Sequence, residues 1–333
     1  MQPSTETAGR AMTEPTARDI GLSPAATDPP EPIDLPLVDL HQHTQSLTWN
    51  DREKFDLAGY EAAVMIAAGY YWSPYRPVAA DDVRFLWDDA IRRARAFTHR
   101  HFYDQYVAVA VHTWSRVSDA DELVAALPEY CDLEEVVAIG ETGIESTQHT
   151  TEWPLDEQKA IVREQFHVAR ETDLPVLLHT PGSSKGDVDP RESHSYEEGN
   201  RNFTDPVLRT DTTKADAVEI DLALAEEVGL DDEQIVVDHA GEPIVDRVLG
   251  ETDCWLAYSV SAPWLRGIDA RDVKRAIDQY GSDRIVVDTD LIGAMRNDSF
   301  VLKRTAMDLL RLGVDRDAVR DVVYENPKQV LGI

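Results

Sequence analysis

From residue 35 onward the chain alternates two kinds of hydrophobic pattern. Short apolar runs of β type recur as "PLVDLHQH" (36–43), "AAVMIAAG" (62–69), "YVAVAVHT" (106–113), "VVAIGETG" (136–143), "LPVLLHT" (174–180), "QIVVDHA" (234–240), "CWLAYSV" (254–260) and "RIVVDTD" (284–290). Several are continuous rather than alternating, as expected of strands covered on both faces of a parallel sheet. Between them stand amphipathic stretches such as "ADDVRFLWDDAIRRARAFTHR", "LDEQKAIVREQFHVARET", "KADAVEIDLALAEEV" and "DARDVKRAIDQYG". Their apolar residues repeat at helical spacing, and the last ends at Gly281 as a helix C-cap does. Eight strands alternating with helices predict an α/β fold of the (β/α)8 TIM-barrel type, with a doubly wound sheet as the alternative.

Two stretches fall outside this rhythm. Residues 1–34 are rich in Thr, Pro, Ala and acids with few large apolar side chains, so they predict a disordered leader, and Met12 is an alternative start. The barrel domain then covers 35–333, interrupted at about 181–213 by an irregular insertion of Gly, Ser, Pro, Asp and Arg. Leaving the fifth strand, that insertion is expected either as a lid over the C-terminal face or as a salt-adapted surface elaboration.

Charge narrows the surroundings. The chain carries 63 acidic against 32 basic residues, a formal net charge of -31, and 25 of the basic residues are Arg. Such a surface suits a cytosol of molar salt, where screening acts within ~3 Å, and it points to a halophilic source. No basic stripe offers a footprint for phosphate backbones, so no stable nucleic-acid complex is expected. Cys131 and Cys254 lie far apart without a CxxC pairing and read as core thiols. With no long apolar window and no secretory pattern at the N-terminus, the sequence reads as cytoplasmic, with no membrane partner.

Candidate chemistry gathers at the C-terminal ends of the strands. His41 and His43 end the first, Glu141 the fourth, His179 the fifth, His239 the sixth, and Asp288 and Asp290 the eighth. In a barrel these positions surround one mouth. In an extended strand His41 and His43 also share a face, together with Asp39. Each polar group alone would need its own buried partner, whereas one metal site satisfies them together. A second HxH, His99 and His101, ends a helical stretch without a preceding strand and is read as a decoy.

"DLHQH", "IGETGIE", "LLHT", "DHAGE" and "VVDTD", in this order over about 36–333, resemble the TatD-like branch of the metal-dependent hydrolase (amidohydrolase) superfamily, specifically its archaeal TIM-barrel members. The tail "VVYENPKQVLGI" is similar to the family's final helix, with Asn326 in its usual place. The resemblance implies two divalent ions. His41, His43 and the strand-eight aspartate would bind one, His179 and His239 the other, and Glu141 would bridge them. The donor set suits Zn, Mn, Ni or Co, and Mg can also be held. Asp290 is preferred over Asp288 because it aligns with the family's aspartate and lies nearer the strand's end; Asp288 would then support the site from behind. The implied reaction is hydrolysis by an activated water, with Asp290 carrying the proton. His112 matches a family histidine near the substrate, or else caps a strand end.

Substrate expectations divide three ways. The first is a small phosphoester, amide, ester or lactone. The second is a TatD-like deoxyribonuclease trimming short single-stranded oligonucleotide ends. The third is a non-catalytic metal-binding protein. Tyr70, Tyr71, Trp72 and Tyr75 after strand two, with Trp114 and Trp264, would line an aromatic wall for a flat ligand or simply cover the mouth.

Overall fold

The computed structural model describes residues 34–45, 47–68, 77–114, 116–145, 153–180, 212–261, 268–292 and 298–333. The expected leader and insertion therefore lie almost wholly outside the described residues, as do Tyr70, Tyr71, Trp72, Tyr75 and Trp264.

The strands are β1 (Leu37–His43), β2 (Tyr60–Ile66), β3 (Asp104–Val109), β4 (Val136–Thr142), β5 (Val176–Leu178), β6 (Ile235–Val237), β7 (Trp255–Ser259), β8 (Ile285–Asp288) and β9 (Leu291–Ile292). All neighbours pair in parallel, in the order β8-β7-β6-β5-β4-β3-β2-β1-β9. Only Thr289 and Asp290 separate β8 from β9, and β9 pairs back onto β1 through Gln42↔Leu291 and His43↔Ile292. The order therefore closes on itself. This is the TIM barrel, and the doubly wound alternative falls away because an open sheet leaves its first and last strands unpaired.

The helices are α1 (Trp49–Ala58), α2 (Ala80–Thr98), α3 (Ala120–Cys131), α4 (Leu155–Thr172), α5 (Lys214–Val228), α6 (Glu242–Glu251), α7 (Ala270–Tyr280), α8 (Val301–Arg311), α9 (Arg316–Arg320) and α10 (Asn326–Leu331). Local chemistry fixes several ends. At α5, Thr213 and Asp216 form a capping box and Gly229 closes the helix in the left-handed conformation. Asn326 donates to the carbonyls of Ser282 and Ile285, both at 2.7 Å, and so ties the final helix to the start of β8.

Hydrophobic periodicity located the strands but overstated their ladders. The runs at 174–180 and 234–240 yield strands of only three residues each, beyond which single backbone bonds continue, His179 N to Thr142 O at 2.8 Å and Asp238 N to Leu178 O at 3.0 Å. Every residue of β1 and β4 is buried, so those strands carry polar side chains into an otherwise apolar interior. Among the described residues no helix is long and apolar enough to cross a membrane.

Candidate metal centre

The site begins with β1. Its pairing with β2 shifts register between Asp39 and Gln42, so the expected common face of Asp39, His41 and His43 does not hold. Asp39 turns instead into the seam between β1 and β8. There it accepts from Thr289 N at 3.0 Å, Thr289 Oγ1 at 2.6 Å and Gln42 Nε2 at 2.7 Å. The ladder is interrupted at Thr289, whose buried N–H requires an acceptor.

On β4, Gly140 leaves room for the neighbouring strand: a Cβ there would lie 2.6 Å from Leu177 Cβ. Glu141 follows and points inward, 1 % exposed. His239 and Asp290 both adopt left-handed backbone, with φ of 57° and 44°. Such conformations cost ~1–3 kcal/mol in residues other than glycine. Backbone bonds hold the turns: Ala240 N to Ala257 O at 2.8 Å and Asp290 N to His41 O at 2.9 Å.

These turns converge on Glu141. Its Oε2 lies 3.2 Å from His41 Nε2 and 3.3 Å from His43 Nε2. Asp290 Oδ1 completes that side, 3.2 Å from His43 Nε2 and 3.6 Å from His41 Nε2. The other carboxylate oxygen, Oε1, lies 2.8 Å from His179 Nδ1 and 2.9 Å from His239 Nε2. The structure thus brings together His41, His43, Glu141, His179, His239 and Asp290, in two sets that share one carboxylate. Of the two strand-eight aspartates, Asp290 reaches the cluster. Asp288 is fully buried, and burial, followed by the charge of Asp238, pushes its carboxyl well above the usual range.

The outward ring nitrogens are also engaged. His41 Nδ1 meets Asp238 Oδ2, His239 Nδ1 meets Ser259 Oγ at 2.8 Å, and His179 Nε2 meets Glu145 Oε2 at 3.1 Å. Such partners fix which nitrogen faces inward. Sequence reasoning assigned no role to Asp238, Glu145 or Ser259, although the first two sit inside quoted motifs. An acid directly beside or shortly after a candidate ligand was the available signal.

His112 stands beside the cluster. Its Nδ1–H donates to the Glu141 carbonyl at 2.6 Å, and its ring stacks on Trp114 at 4.2 Å between centroids. Burial lowers its pKa to about 4, so the imidazole is neutral near pH 7. Trp114, 7 % exposed, also packs edge-on against His179. His101 bonds Asp56 at 2.8 Å and is not part of this cluster.

Electrostatics fits a cation. Burial would raise the pKa of Glu141, yet the imidazoles of His41 and His179 hold it well below the usual range. Burial opposes protonation of His41 and His179, but the surrounding carboxylates outweigh it, lifting His41 well above its ordinary value and His179 to about 9. Four imidazoles and two carboxylates therefore converge at distances that require shared protons, which a divalent ion would replace. The nitrogen and oxygen donor set matches Zn, Mn, Ni or Co, with Mg as the harder alternative. Ligating atoms of His41, Glu141, Asp238 and His239, and of His41, His43 and Asp290, lie within 4.8 Å of one another in each group.

Comparison with known proteins places this geometry in a lineage. An uncharacterized metal-dependent hydrolase of Methanocaldococcus jannaschii is 26 % identical over 292 residues, covering 88 % of this chain and 98 % of that protein. The crystal structure of a TatD-like protein from Archaeoglobus fulgidus superposes with a TM-score of 0.59 at 20 % identity, covering 89 % of this chain and all (100 %) of the other. An Escherichia coli phosphotriesterase homology protein, solved with phosphate in its active site, shares the fold with a TM-score of 0.55 at 13 % identity, over 89 % and 97 % of the two chains. The TatD related DNase family model matches residues 38–332, from β1 to the end of α10. With a barrel closed at β1, donors at five strand ends and a family match over nearly the whole length, the chain belongs to the TatD related DNase family and is a metal-dependent hydrolase.

Proposed function

We propose that the protein is a two-metal hydrolase of phosphoester bonds. The observation that carries this reading is the division of Glu141, whose Oε2 faces His41, His43 and Asp290 while Oε1 faces His179 and His239. A single ion would leave one of these sets as buried, protonated donors. Two divalent ions held there would supply an activated water and polarise the oxygen of the scissile group. Asp290, beside His43 in the first set, takes the proton from the attacking water at its carboxylate and returns it to the leaving group. His112 holds the Glu141 backbone through Nδ1 and stays neutral.

The family description favours a phosphoester over an amide or lactone. Net charge favours a small or short substrate: at -31 the sequence offers no basic stripe to hold a long polyanion. Trimming of single-stranded DNA ends is the same bond cleavage on a longer substrate, and the family description supports it as the second reading.

The test uses protein purified in molar KCl, stripped of metal and reloaded separately with Zn, Mn, Co and Mg. Aryl phosphomonoesters and phosphodiesters, an amide and lactone panel, and end-labelled single-stranded DNA are then assayed beside Glu141→Ala. Metal-dependent release from a phosphoester, lost in the variant, supports the reading. Turnover confined to amides or lactones overturns the substrate class, and binding of fewer than two ions overturns the two-metal site.

A further inference from the structure

His41, His179 and His239 are each tethered on the nitrogen that faces away from the centre, and the tethers differ in kind. Asp238 and Ser259 lie at the ends of β6 and β7 and are buried with their histidines. His179 stands at the rim, its side chain 15 % exposed, and its tether comes from a loop, not a strand. The ring can present either nitrogen inward after a flip. The bond from Nε2 to Glu145 Oε2, at 3.1 Å, selects Nδ1 as the nitrogen beside Glu141 and His239.

The loop that carries Glu145 is held residue by residue. Gln165 of α4 donates to Thr142 Oγ1 at 2.8 Å, and Thr113 donates to the Gly143 carbonyl at 2.5 Å. Asp221 of α5 receives Ile144 N at 3.1 Å on both oxygens, and Gln158 of α4 receives Glu145 N at 2.9 Å. Gly143 has φ +138°, and a Cβ there would lie 2.9 Å from the His179 carbonyl. Buried polar side chains from three separate segments thus converge on four consecutive residues. Buried side chains of this kind are costly unless bonded, and their common effect is to fix Glu145, itself 4 % exposed, against His179.

We propose that Glu145 is a positioning residue for the second ion alone. By accepting the Nε2–H of His179 it sets the ring's tautomer and aims Nδ1 at the space shared with His239 and Glu141. In the set of His41, His43 and Asp290, the His41 ring is oriented by Asp238, not by Glu145. The inference rests on the two-metal reading above.

The experiment titrates metal-stripped wild type, Glu145→Gln and Glu145→Ala with Zn in molar KCl, counting bound ions by elemental analysis after dialysis at fixed free Zn. Nitrogen-15 NMR of the Zn-loaded wild type reads the His179 tautomer. Wild type is expected to hold two ions with His179 protonated at Nε2. Glu145→Ala keeps the first ion at unchanged affinity and binds the second roughly 10- to 100-fold more weakly. Glu145→Gln falls between, because its amide oxygen still accepts the bond without the charge. It also supplies the answer if the alanine variant does not fold. Two ions at wild-type affinity in both variants, or equal weakening of both ions, overturns the proposal. Wild type holding fewer than two ions overturns the two-metal reading and this inference with it, which separates the two failures.

Discussion

Asp238 Oδ2 bonds His41 Nδ1 across the barrel, and neither side chain has any solvent exposure. The same carboxylate takes the backbone N–H of His239 and the hydroxyl of Ser259, the latter at 3.0 Å. Ser259 Oγ in turn meets His239 Nδ1. One acid at the end of β6 therefore sets the orientation of an imidazole in each half of the cluster. Burial alone would raise its pKa, but His239 and His41 hold it well below the usual carboxylate range.

Replacing Asp238 by Asn should accordingly weaken ion binding roughly 10- to 100-fold, because the amide no longer enforces protonation of His41 at Nδ1. Asp238→Ala removes one partner of a buried pair and should cost about 3–5 kcal/mol of stability. Competition with a chromophoric Zn chelator reads the first effect, and urea unfolding the second. Unchanged Zn affinity in Asp238→Asn would show that the carboxylate only packs against the histidine.

Much of this arrangement was legible before any coordinates. Continuous apolar runs separated by helical periodicity define a parallel α/β ring, and polar residues at the ends of those runs can only face its mouth. What stayed hidden depends on register and closure. The two-residue β9 has too little sequence to carry a period, yet it closes the barrel. Asp39 obeys strand alternation on paper, but the register shift in β1 turns it to the seam. Asp238 and Glu145 were visible as acids within motifs, but their partners lie 197 and 34 residues away in sequence, beyond the reach of local patterning.

The seam gives a second prediction. Asp39 satisfies both polar hydrogens of Thr289 in a fully buried setting. Asp39→Ala leaves the Thr289 N–H without its acceptor and should destabilise the fold by roughly 2–4 kcal/mol, the range for one or two unsatisfied buried donors. Because Thr289 precedes Asp290, ion affinity should fall as well. Urea midpoints and Zn binding measured on the same preparation test both parts, and a stable variant with normal Zn binding would mean the seam closes through β9 alone.

His112 separates holding from proton transfer. With its pKa lowered to about 4 by burial and its Nδ1–H directed at the Glu141 carbonyl, it should contribute no titration near neutrality. His112→Asn can keep a donor near that carbonyl, whereas His112→Phe cannot. The asparagine variant should retain most of kcat and the phenylalanine variant should lose about tenfold or more, the scale of a removed positioning bond. A pH–rate limb near ~6.5 that disappears in both variants would instead identify His112 as the proton carrier.

Asp221 yields a prediction for stability against pH. It lies beneath the Glu145 loop, fully buried, and receives Ile144 N on both oxygens. Burial raises its pKa from 3.8 to about 8, with the nearby His179 opposing the rise. Between those two values the unfolded chain releases a proton that the folded chain retains, so the folded state binds more protons and its stability falls as pH rises. The contribution is fully present below the unfolded value and lost as pH passes through the folded one. Asp221→Asn keeps an oxygen to accept the Ile144 N–H and removes the titration. Relative to wild type it should gain on the order of a few kcal/mol at about pH 8.5, a Tm rise of roughly 5–10 °C, and roughly a third of that at about pH 5. Thermal unfolding of both proteins at the two pH values in equal KCl measures the difference directly. An equal Tm offset at both would show that Asp221 titrates normally and that the loop tolerates a charged carboxylate beneath it.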